Sequence, residues 1–223
     1  MVVQIILFFA IITIPAIAQA FITFAYNKYS KEENKAGLTG FDVARKILDA
    51  NGLNDMDIVA TPGTLTDHYD PSRKVVRLSQ SNFNDTSVSA LAVAAHECGH
   101  AIQDKEGYLL LRIRARIVPI VNIATSLSYI IILIGCLLQF LGLVLVGIVF
   151  TGFGLLFQLV TLPVEINASK RAGEQIDKLN LASGHDRAGV KKVLIAAAST
   201  YLAGVLASAL QVLRLLLMFY RKD

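Results

Sequence analysis

Residues 117–164 form a run of 48 amino acids without a single Lys, Arg, Asp or Glu. As one helix this run would be about 72 Å long, more than twice the roughly 30 Å hydrocarbon core of a bilayer. It therefore has to cross a membrane and turn back. The turn is expected around 139–142, between spans at about 117–138 and 143–162.

Two further stretches have the length of a bilayer crossing. Residues 2–26 carry no charge and contain one helix breaker, Pro15, which a membrane helix tolerates as a kink. Residues 193–213 precede Arg214, whose guanidinium can snorkel toward an interface, and the apolar run 215–220. Ala18-Gln19-Ala20 has the small-x-small look of a signal-peptidase site. The absence of Lys or Arg before Lys28 and the length of the apolar run favour an uncleaved span instead. With 54% hydrophobic residues and a mean hydropathy of +0.56, the chain reads as a mainly α, multi-span helical membrane protein with four spans.

The polar segments between the spans fall at 27–116 and 165–192, and an even number of crossings separates them, so they share one side of the membrane. They hold 12 and 6 of the 21 Lys and Arg residues. The positive-inside rule places that side in the cytoplasm of a cell-membrane protein. The expected organisation is a first span at 1–26, a cytoplasmic catalytic segment at 27–116, a membrane hairpin at 117–164, a second cytoplasmic segment at 165–192 and a last span at 193–220. The two cytoplasmic segments together would form a small α+β, zincin-like portion. The net charge of +4 is explained by basic residues beside the spans and anionic lipid headgroups, so no nucleic-acid partner is expected. The two cysteines, Cys98 and Cys136, suggest no disulfide framework.

Within the first segment, Phe41, Ala44, Ile47 and Leu48 recur at helical spacing, and Asn51-Gly52 supplies a stop, which predicts a helix over 40–50. Asp70-Pro71-Ser72 predicts a turn within a hairpin over 66–79, with a strand at 74–78. An exposed edge of that strand would hold an extended substrate by main-chain hydrogen bonds. Asn84-Asp85-Thr86-Ser87 is dense in capping residues and introduces an Ala-rich helix over 88–103.

On that helix stands His96-Glu97-Cys98-Gly99-His100, an H-E-x-x-H match. Two imidazoles four residues apart lie one turn apart on one face and can share a metal. Imidazole nitrogens suit Zn2+, and a catalytic zinc keeps one of its four positions open. The carboxylate of Glu97, next to the first histidine, is placed to take a proton from the attacking water and pass it to the leaving nitrogen.

The surrounding run Ser89-Ala90-Leu91-Ala92-Val93-Ala94-Ala95-His96-Glu97-Cys98-Gly99-His100-Ala101-Ile102-Gln103 closely resembles the YugP-like membrane zinc metallopeptidases. Asp67-His68-Tyr69-Asp70-Pro71, Val75 to Ser79, Leu162-Pro163-Val164-Glu165-Ile166-Asn167-Ala168-Ser169 and residues 193–206 resemble that family in the same order. The resemblance covers most of the chain. It implies a membrane-embedded zinc protease of the broad class that includes the HtpX-type and CAAX prenyl proteases, with a glutamate as third zinc ligand, matched here by Glu165. From the residues alone Glu165 reads equally as a ligand or as an interfacial charge closing a span. HtpX-type proteases carry an aspartate four residues beyond the ligand glutamate, where this chain has Ser169, which leaves open how the first histidine is oriented.

Other polar residues are expected outside the chemistry. His68 reads as a solvated turn residue, and His185, in a turn-like stretch before the last helix, reads as a weak candidate for oxyanion stabilisation. Lys170 and Arg171 read as headgroup contacts and Cys98 as packing. The expected activity is zinc-dependent endopeptidase hydrolysis of membrane or membrane-proximal polypeptides, with the lipid bilayer and polypeptide substrates as partners. The alternatives are a non-catalytic zinc-binding membrane scaffold and a zinc hydrolase of a non-peptide substrate.

Overall fold

The computed structural model describes residues 2–220 and is mainly α-helical. Its elements in order are α1 (Val2–Tyr29), α2 (Gly40–Ala50), β1 (Asp57–Thr61), β2 (His68–Asp70), β3 (Val75–Ser79), α3 (Gln80–Phe83), α4 (Val88–Lys105), α5 (Leu109–Leu137), α6 (Leu141–Lys178) and α7 (Gly184–Tyr220). α1, α5, α6 and α7 are each long and apolar enough to cross a membrane. The protein is a membrane protein, with four such helices among the described residues.

The chain divides into two compact units. The first takes in residues 2–19, Leu109–Pro163 and 200–220. Its four helical segments turn large apolar side chains outward, among them Phe9, Ile123, Leu133, Val149 and Leu206. A water-soluble bundle would bury these; in lipid they face acyl chains. The α5–α6 hairpin turns at 138–140, where Gln139 takes a positive φ of 53°, overlapping the expected 139–142 but starting one residue earlier. Beside the turn, a Cβ on Gly135 would lie 2.8 Å from the Val144 backbone nitrogen, and one on Gly147 would lie 2.9 Å from the Ser128 carbonyl oxygen. Glycine lets the two helices approach where lipid supplies no hydrophobic drive to hold them together.

The second unit comprises Ala20–Tyr108 and Val164–Ser199. α2 begins at a capping box, in which the Thr39 hydroxyl accepts from Asp42 N–H and the Asp42 carboxylate accepts from Thr39 N–H. Its buried face, Val43, Ala44, Ile47 and Leu48, packs into one core with Leu91, Ala95 and Cys98 of α4, Val76 and Leu78 of β3, Ile176 of α6 and Val193 of α7. α4 starts where the Ser87 hydroxyl accepts from Ala90 N–H, and it is buried at fourteen positions between Val88 and Gln103. Its small residues let other backbone come close: a Cβ on Gly99 would meet the Ala168 carbonyl oxygen of α6 at 2.5 Å.

The sheet has the order β1-β3-β2, with β1 parallel and β2 antiparallel to β3. The 66–79 hairpin is present, and Asp70 caps its turn through Ser72 and Arg73 N–H. The expectation of a free edge on 74–78 is overturned: β3 is the central strand, paired on both sides. The sequence reading missed β1 because Asp57–Thr61 is short and lacks a clean apolar alternation, with no residue fully buried. The polar stretch 165–192 is also more helical than its charge suggests. α6 runs unbroken through Glu165 to Lys178, and α7 starts at Gly184, so His185 sits in a helical first turn.

Candidate metal centre

α4 holds the two histidines with ring centroids 4.9 Å apart and planes at 85°. At the first charged position of α6, Glu165 meets both. Its Oε2 lies 3.2 Å from His96 Nε2 and 3.4 Å from His100 Nε2. All three ligand atoms fall within 4.8 Å of one another. Tetrahedral zinc with ligands at 2.0–2.1 Å places neighbouring ligand atoms about 3.3 Å apart, so the two imidazole-to-carboxylate spacings already match edges of such a tetrahedron. The donor set of two imidazoles and one carboxylate is that of a zinc site with an open fourth position. His96, His100 and Glu165 can hold the metal.

The far nitrogens of the two rings are held differently. Ser169 Oγ lies 3.2 Å from His96 Nδ1, a neutral partner where an aspartate would carry charge. Gln103 Oε1 lies 3.0 Å from His100 Nδ1. The amide nitrogen of Gln103 donates to the Val164 carbonyl at 2.8 Å and to Asn167 Oδ1 at 2.9 Å. The Val164 carbonyl can only accept, which assigns nitrogen to that end of the amide and oxygen to the end facing His100. His100 therefore carries a proton on Nδ1 and faces Glu165 with Nε2, which hydrogen-bonds the carboxylate when it too is protonated and is the nitrogen free for a metal when it is not. Asn167 Oδ1 also accepts from Arg171 Nε at 2.8 Å, and Arg171 pairs with Glu106 at 2.7 Å. A line of polar contacts thus ties the end of α4 to α6.

The electrostatics follow from burial. Glu165 is 1% exposed; burial pushes its carboxyl up, and the hydrogen bonds from His100 and His96 more than offset this, holding it well below the usual carboxylate range. For His100 burial pushes the other way, and the hydrogen bond to Glu165 leaves the imidazole raised overall. A divalent cation would take the place of the proton that joins His100 to Glu165 without it.

Glu97 does not join this triad. Its Oε2 accepts a 2.8 Å hydrogen bond from Tyr69 N–H on the edge strand β2, which fixes one carboxylate oxygen and leaves Oε1 for a reacting molecule. Tyr69 is anchored in turn by its hydroxyl, which donates to Asp104 Oδ2 at 2.8 Å. The sheet thus positions the acid beside the two histidines, a role the sequence reading did not give it.

The chain matches, over residues 4–220, the model of a family described as "Putative neutral zinc metallopeptidase". It belongs to that neutral zinc metallopeptidase family. It is also similar to a Bacillus subtilis (strain 168) protein described as "Putative membrane protease YugP", at 46% identity over 194 residues that cover 87% of this chain and 86% of that protein. No solved structure matches it. Zinc is the family's metal, and the His96, His100 and Glu165 cluster fits it.

The remaining candidates lie apart from the cluster. His68 is exposed, with Nδ1 2.8 Å from the Thr66 carbonyl. His185 is exposed and faces Glu32 at 3.1 Å. Lys170 pairs with Glu174 on its own helix. Cys98 is buried with its thiol toward the Ala44 carbonyl, and burial pushes that thiol up. Gln103 and Asn167 were missed by the sequence reading. The available signal was Gln103's place one turn beyond His100 on the same face of an otherwise apolar helix.

Proposed function

We propose that this family member is a membrane-embedded zinc metalloendopeptidase, in which His96, His100 and Glu165 hold the metal and Glu97 is the general base. The observation that carries this reading is the pinned Glu97 carboxylate, one residue from a three-donor set with tetrahedral spacing. Zinc bound by that set supplies a Lewis acid for the scissile carbonyl and lowers the pKa of water. Glu97 takes the proton of the attacking water on its unpinned oxygen and returns it to the leaving nitrogen. The Tyr69 N–H stabilises the carboxylate form before the first transfer and after the second.

The substrates are membrane or membrane-proximal polypeptides, because the residues that would do the chemistry sit next in sequence to spans on both sides. Glu165 directly follows the uncharged run, and α4 is separated from α5 by three residues. The polar segments 27–116 and 165–192 lie in the cytoplasm of a multi-pass cell-membrane protein, as their excess of Lys and Arg over the remaining chain indicates.

The test is Glu97→Gln beside wild type, purified in detergent, with zinc content and cleavage of casein and membrane proteins measured together. Both are expected to carry about one zinc per chain, with cleavage by wild type alone. Zinc without cleavage in both points to a scaffold or to a non-peptide substrate, which a lipid-amide panel separates. Loss of zinc from both overturns the assignment of the ligands.

A further inference from the structure

Gly173 lies inside α6, where glycine weakens a helix, and a Cβ built on it would meet nothing within 4 Å. Gly99 earns its place by close backbone approach; Gly173 leaves space. It opens into a groove of about 480 Å³ between α6 and α7. The Arg187–Asp177 ion pair at 2.7 Å sets the register of these helices, which run in opposite directions, and brings Ile166 level with Ala198. The groove follows them for about 16 Å, over twelve residues of each.

Its lining changes character along that length. At one end are Ile166, Leu194, Ile195 and Ala198, of which Ile166 and Ile195 are half exposed. This end adjoins the uncharged runs of both helices, which stop at Val164 on α6 and resume at Val193 on α7. Next come Lys170 and Lys191. Asp177 is taken up by Arg187, and the solvent-exposed Glu174 pairs loosely with Lys170 at 3.7 Å. Among the described residues Lys191 has no acidic partner. Apolar walls where the chain enters hydrocarbon, followed within two turns by lysines at headgroup depth, match the order of groups along an anionic phospholipid.

We propose that the α6–α7 groove binds one anionic phospholipid, with an acyl segment against Ile166 and Ile195 and the phosphate between Lys170 and Lys191. Ser169, which hydrogen-bonds His96, forms part of the groove wall, so the bound lipid and the metal centre share a residue.

The experiment is native mass spectrometry of the full chain released from phosphatidylcholine–phosphatidylglycerol nanodiscs, with zinc content read in parallel. Wild type is expected to keep one phosphatidylglycerol after other lipids are stripped. Gly173→Leu, which restores helix propensity while filling the groove, is expected to lose it, and Lys191→Ala to weaken retention about fivefold. Zinc content is expected to stay unchanged, so the outcome is independent of peptidase activity. Equal retention of phosphatidylcholine, or wild-type retention by both variants, overturns the proposal. A photoactivatable phosphatidylglycerol should crosslink to 166–177 and 187–198; recovery of a polypeptide there in its place assigns the groove to substrate and overturns it as well.

Discussion

Replacing Gln103 with leucine removes an amide that has no solvent exposure and lies against the back of His100, a proposed metal ligand. The volume stays similar, so the effect is polar. The Val164 carbonyl keeps its helical bond and Asn167 keeps Arg171, which leaves the His100 Nδ1–H as the orphan. A buried donor without a partner costs about 1–3 kcal/mol. Loss of the group that orients a ligating histidine lowers metal affinity about 10–100-fold, or roughly 1.4–2.8 kcal/mol. The two estimates agree because they describe one event: the imidazole turns to find a partner, and its Nε2 leaves the direction shared with Glu165. The assay is competition for zinc against a chelator of known affinity, with circular dichroism confirming that the helices persist. A folded Gln103→Leu protein whose zinc affinity falls less than about threefold would refute the orienting role.

Two further predictions concern packing and charge. Gly99→Ala drives a Cβ toward the Ala168 carbonyl, and overpacking of about 1–3 kcal/mol should lower the melting temperature. It should also lower zinc stoichiometry, since α4 and α6 carry the ligands separately. In chelator-treated protein, Glu165 with its lowered pKa stabilises the fold above the ordinary carboxyl value of 4.5, and that contribution fades as pH falls through the lowered value. His100, raised, stabilises fully below its ordinary 6.5, and the contribution fades as pH rises through the raised value. Thermal unfolding without metal should therefore show higher stability near about pH 6 than near about pH 8, and a flat profile between them would contradict the pairing.

The sequence made some of this legible and hid the rest for physical reasons. Charge-free runs report spans directly, because no internal partner excuses an unpaired charge in lipid; the hairpin turn at Gln139 fell inside the expected window. Capping residues marked α4 at Ser87, and the i, i+4 histidines placed both imidazoles on one face. Glu165 remained ambiguous from the residues alone, since a glutamate closing a span looks the same whether it meets headgroups or histidines; the resemblance to a family singled it out. β1 stayed hidden because its pairing with β3 is parallel and non-local. The link from Tyr69 to Glu97 was invisible because it is made by a backbone N–H, which any residue but proline supplies.

The order of the ligands along the chain also bears on how the protein is made. His96 and His100 emerge from the ribosome long before Glu165, and residues 109–163, which make up both helical legs of the membrane hairpin, are synthesised in between. A nascent chain that has not yet reached Glu165 has two imidazoles and no third donor. Assembly of the full set therefore waits until both helices of the membrane hairpin have been made.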